Sequence, residues 1–145
     1  MNTLIENSLR NLSIEFNSEL NISDKFAYII LPHHHNLLLT LIWEDNEDND
    51  ENLTLILSLG YLNKQISSTE IFDMLEVNLP MAINYGPKLT YSPTSNLVTL
   101  IDSINYVEIT SSDIREKILP FIQIGEEIYN NMKIKNMIIL NEPGE

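Results

Sequence analysis

With 145 residues and no cysteine, the chain has the length of one domain and cannot use disulfides, thiolate nucleophiles or thiolate metal sites. Its formal charge of −13, from 21 acids against 8 bases, disfavours nucleic acid and anionic lipid and favours basic partners. No apolar run approaches the ~20 residues of a membrane span, and Met1–Arg10 is not a signal peptide, so a cytoplasmic location is expected.

Ile5, Leu9, Leu12 and Phe16 recur at helical spacing and predict an amphipathic helix over residues 3–20. Three strands follow. Lys25–Leu31 is aromatic and β-branched and stops at Pro32, which cannot donate to a ladder. Leu37–Trp43 is almost wholly apolar, as expected of a central strand covered on both faces. Leu53, Leu55, Leu57 and Leu59 alternate with Thr54, Ile56 and Ser58, and Gly60 closes that strand. The short connections, His33–Asn36 and the acidic Glu44–Asn52, imply antiparallel hairpins.

Ser67-Ser68-Thr69-Glu70 has the form of a capping box, opening a helix with Ile71, Met74, Leu75 and Leu79 on one stripe. Pro80 removes the bond to the Glu76 carbonyl, so this helix is expected to kink or tighten before the Asn84-Tyr85-Gly86-Pro87 turn. Strands are predicted at Lys88–Ser92 and Leu97–Tyr106. A closing helix begins near Ser112-Asp113, carries Ile114, Ile118, Ile122, Gly125, Tyr129 and Met132 inward, and should bend at Pro120. Residues 1–135 are read as one domain and 136–145 as a loose tail. The order α-β-β-β-α-β-β-α implies an α+β fold with helices packed on an antiparallel sheet.

Chemistry-bearing patterns are sparse. The run Glu44–Glu51 holds six acids, but an EF-hand loop begun at Asp48 would place Leu53 where glycine and Leu59 where glutamate belong. It reads as a solvated hairpin loop able to attract a basic segment. His33 and His35 would point the same way on an extended segment, yet two imidazoles are too few for zinc, and a polar turn accounts for them. No nucleophile elbow or phosphate loop is present, and Glu126-Glu127 diverge by about 100° on a helix. No enzyme, metal or cofactor is expected.

One segment carries a resemblance. Asn78, Leu79, Ala82, Asn84, Gly86, Pro87, Leu89 and Tyr91 form a pattern similar to the Tir-chaperone family of class I type III secretion chaperones, and the order of elements agrees across most of the chain. The resemblance implies a cytoplasmic homodimer that binds the extended amino-terminal segment of a secreted effector. It also brings in the secretion ATPase as a partner. It implies effector contacts at Ile5, Leu9, Leu12, Phe16, Phe26, Tyr28, Leu55 and Leu57. It implies a dimer seam at Ile71, Leu75, Leu79, Leu89 and Tyr91. Two other readings fit an acidic binding protein. One is an immunity or antitoxin-like protein directed at a folded basic toxin, and the other is a YbjN-like domain without a secretion role.

Overall fold

The computed structural model describes residues 3–23, 25–43, 52–105 and 111–139; the side chains of 3–5, 105 and 111–113 fall outside that description. In chain order the elements are α1 (Thr3–Glu15), β1 (Leu20–Ile22), β2 (Phe26–Leu31), β3 (Leu37–Trp43) and β4 (Asn52–Leu62). There follow α2 (Ser68–Glu76), α3 (Asn78–Ile83), β5 (Lys88–Ser92), β6 (Leu97–Asn105), α4 (Ser111–Ile134) and β7 (Ile138–Ile139). The fold is α+β, as the sequence predicts. All strand pairs are antiparallel in the order β1-β2-β3-β4-β6-β5, with β7 pairing to the end of β4.

Alternation decides which way each strand faces. Leu53, Leu55, Leu57 and Leu59 of β4 are fully buried, as are Leu39 and Trp43 of β3 and Val98 and Leu100 of β6. Against this inner face lies α4, whose Ile114, Ile118, Phe121, Ile122 and Tyr129 are buried at helical spacing. Beside α4 packs α1, contributing Leu9, Leu12 and Phe16 to the same core. The helix runs unbroken through Pro120.

Several boundaries differ from expectation for local reasons. The first helix stops at Glu15, not near residue 20. Asn17 adopts φ 49°, Ser18 N–H donates to the Ser13 carbonyl and Asn17 N–H to that of Ile14, which is a Schellman stop with asparagine in place of glycine. The freed residues form β1 against β2. Gly60 does not end β4. Its φ of 147° sits at a register shift between Ser58 and Gly60, after which pairing resumes to Leu62. The capping box at Ser67 forms with both reciprocal bonds. The second helix then divides at Val77 into α2 and α3, where Pro80 cannot donate to the Glu76 carbonyl. Residues 136–139 are held, not loose: Met137 and Ile138 are buried, and Asn63 N–H donates to the Met137 carbonyl.

Candidate functional site

The face of the sheet turned away from α1 and α4 is open, apolar along β2 and mixed beyond it. There Thr54 and Ser58 of β4 and Thr99 and Ser103 of β6 alternate with Ile56 and Ile101. On β2 the outward residues are Phe26, Tyr28 and Ile30, 42%, 40% and 50% exposed, while Ala27, Ile29 and Leu31 fill the core. Register places Phe26 beside Ile42, Tyr28 beside Thr40 and Ile30 beside Leu38; across β4, Ile56 lies beside Ile101 of β6. The Phe26 and Tyr28 rings stack at 6.4 Å. Beyond β2 the sheet ends in the three-residue β1, which pairs only Ala27, Tyr28 and Ile29. At the opposite edge, Asn78 closes β5: its carboxamide donates to the Leu89 carbonyl at 3.0 Å and accepts the Leu89 N–H at 2.6 Å. Pro87 precedes that strand without an N–H to offer. Strand addition is therefore easier beside β1 than beside β5.

A second apolar surface runs along α2 and α3. Phe72, Leu75, Leu79 and Ile83 follow at spacings of three, four and four, all exposed, and Tyr85 beyond them is 96% exposed. The opposite stripe, Met74, Val77 and Met81, faces α4 across a groove of about 440 Å³.

Of the residues expected to touch an effector, Phe26 and Tyr28 lie on the open face. Leu9, Leu12, Phe16, Leu55 and Leu57 are core residues, at most 7% exposed, and present no surface in this conformation. Helix–sheet packing claims them, as the regular alternation of β4 and the stripe of α1 require. The Ile5 side chain lies outside the described residues. Of the expected seam residues, Leu75, Leu79 and Tyr91 are exposed, Ile71 is half-buried, and Leu89 is buried at 3%. Sequence reasoning missed Ile30, Phe72 and Ile83. The signal was present: both faces of β2 are apolar, and α2–α3 carries two apolar stripes where a surface helix needs one.

The histidines form a turn that grips α4. His35 and Asn36 adopt φ near 60°. His34 Nδ1 hydrogen-bonds Glu126 Oε2, and His35 Nε2 lies 3.8 Å from Glu126 Oε1. The His34 ring meets Phe16 edge-on at 6.1 Å, tying the turn to the end of α1 as well. Among the described residues no group of three or more His, Asp or Glu is arranged to hold a metal ion. The acidic run Glu44–Glu51 lies outside the described residues. Near the start of α4, Arg115 donates two hydrogen bonds to Glu15, at 2.7 and 2.5 Å. These bonds hold the Glu15 carboxyl below its ordinary range and raise the Arg115 guanidinium above its own. No described helix is long and apolar enough to cross a membrane.

Searches of protein-family models and of curated protein sequences find no match. Solved structures do match. A chain of the HopA1–SchA chaperone–effector complex superposes with a TM-score of 0.61 at 17% identity, covering 88% of this chain and 94% of that one. A chain of the heterodimeric ExoU–SpcU complex from the type III secretion system of Pseudomonas aeruginosa gives 0.54 at 10% identity, over 87% and 95%. The fold is type III secretion chaperone-like. YbjN of E. coli shares this chaperone-like fold, with a TM-score of 0.57 at 8% identity over 93% of this chain and 95% of its own.

Proposed function

We propose that this chain is a cytoplasmic class I type III secretion chaperone of the Tir-chaperone kind, not an enzyme. It binds the extended amino-terminal segment of a secreted effector and keeps it soluble and competent for export, work that contributes to virulence. The observation that carries this reading is the likeness over 88% of the chain to part of a chaperone–effector complex. The open row Phe26, Tyr28 and Ile30 supports it by offering apolar anchorage on a surface that no helix covers among the described residues. An extended segment would lay alternate side chains on that face and pair its backbone beside β1. The charge of −13 favours a basic segment over nucleic acid or anionic membrane. Two copies would join through the exposed stripe of α2–α3, and the loaded complex would be handed to the secretion ATPase.

Coexpression with the amino-terminal segment of the secreted protein encoded next to this chain tests the reading. Wild type should copurify with the segment, and the double variant Tyr28→Glu/Ile30→Glu should lose it while melting unchanged. Retention of a folded catalytic domain in place of the segment would favour an immunity-type role. The likeness to YbjN favours a second reading, a domain of this fold without a secretion role, for which no effector segment would be retained.

A further inference from the structure

The stripe Met74, Val77 and Met81 faces Ile124, Ile128 and Met132 of α4, and the groove between them is floored by Leu89 and Met137. Val77, Met81 and Ile124 are only partly buried, so the apolar interior is reachable from outside. About 440 Å³ lies within the range of ligand-binding clefts. Four of the chain's five methionines line it, and flexible, polarisable thioethers adapt to apolar side chains of differing shape. The rim is charged. Asp73 and Glu127 are exposed and in no ion pair among the described residues, with Lys135 as the single base beside them.

We propose that this groove is a second anchoring site for the bound partner segment, taking apolar side chains that have Lys or Arg next to them. This rests on the reading that the chain holds such a segment. Charge complementarity selects the occupant: two unpaired carboxylates flank an apolar slot on a chain of charge −13, so a basic, apolar stretch gains both burial and attraction. A second copy fits poorly because it brings the same acidic rim, and the stripe suited to self-association faces the other way. The chain's own last residues, 140–145, carry Glu142 and Glu145 and no base, so the rim repels them too.

The methionines supply a direct test. Full-length protein labelled with ¹³C at the methionine methyls is titrated with a synthetic peptide of alternating Leu and Ser flanked by lysines, and with its glutamate-flanked counterpart. The lysine peptide should shift Met74, Met81, Met132 and Met137 and leave Met1 in place. By fluorescence anisotropy it should bind about tenfold tighter than the glutamate peptide, a preference that Asp73→Lys/Glu127→Lys erases and Met81→Trp weakens by filling the slot. Both rim residues are exposed, so the charge variant folds whether or not Met81→Trp does. Absence of groove methionine shifts at saturating lysine peptide, or an unchanged preference in the charge variant, overturns the proposal. So does a pattern in which these variants alter self-association and not peptide affinity. If the coexpressed segment is still retained through Tyr28 and Ile30 in that event, the chaperone reading stands and only the second site falls.

Discussion

Gly125 sits within the buried stripe of α4, where an added Cβ would lie 2.2 Å from Leu57 Cδ2 and 3.5 Å from Leu100 Cδ2. Leu57 is fully buried and has no solvent into which to swing. Alanine in a helix gains about 1 kcal/mol over glycine, whereas overpacking a tight core costs about 1–3 kcal/mol. The second effect is expected to win. Gly125→Ala should lower unfolding free energy by about 1 kcal/mol in urea melts, and combining it with Leu57→Ala should cost less than the two changes added. A stabilised Gly125→Ala protein would mean that Leu57 repacks freely. The Glu15–Arg115 pair makes a different prediction. A carboxylate held below its unfolded pKa contributes stability that is complete above the unfolded value, near 4.5, and is lost as pH falls through the lower folded value. Wild type should therefore lose stability below pH 4.5 more steeply than Arg115→Gln, while the two differ little in slope near neutrality. Equal slopes in acid would show the pair to be energetically silent, as exposed pairs often are.

At the scale of elements, edges and ends carry the information that periodicity does not. Asn78, at the start of α3, bonds both backbone groups of Leu89 as a neighbouring strand would. Asn78→Ala should destabilise the protein by about 1–3 kcal/mol, because two partly buried backbone groups lose their partner. Hydrogen exchange at Leu89 should rise before exchange at Leu100, and unchanged protection at Leu89 would contradict the assignment. The long elements were legible because burial imposes their period: the leucines of β4, the inner stripe of α4 and the Ser67–Glu70 box stand where pattern placed them. Short elements were not. The strands β1 and β7, of three and two residues, have no room for a period, and they exist because neighbouring strands offer unpaired edges. One helix end was misread for a related reason: Asn17 closes α1 in a left-handed conformation with no glycine to announce the stop, whereas α3 ends at the expected Asn84-Tyr85-Gly86-Pro87 turn. The candidate surfaces were half legible. Helical and alternating patterns correctly imply that Leu9, Leu12, Leu55 and Leu57 are core, whereas the resemblance assigned them to a partner. For β2, whose two faces are both apolar, only packing against α1 and α4 reveals which one stays open.

For the molecule as a whole, the exposed stripe Phe72, Leu75, Leu79 and Ile83 leads directly to Tyr85, and that residue is costly to keep. Its φ is 54°, a region where a residue with a Cβ pays about 1–2 kcal/mol and glycine pays almost nothing. It closes α3 with the two bonds of a Schellman stop: Gly86 N–H donates to the Met81 carbonyl and Tyr85 N–H to that of Ala82. At 96% exposure the ring recovers none of that cost within one chain. Backbone strain retained where a cheaper residue would serve points to use of the side chain, and the proposed dimer across the α2–α3 stripe would supply that use. Tyr85→Gly should then separate two quantities that usually move together. Unfolding free energy of the dilute monomer should rise by about 1 kcal/mol as strain is relieved, less what glycine's freer unfolded chain gives back. Sedimentation equilibrium should show weaker self-association, by about tenfold if the ring is buried at the seam. If the proposed dimer forms, Leu79→Glu should abolish it outright, and added salt should tighten it in the wild type by screening repulsion between two chains of charge −13. A Tyr85→Gly protein that is more stable yet associates as before would leave the strain unexplained and remove Tyr85 from the seam.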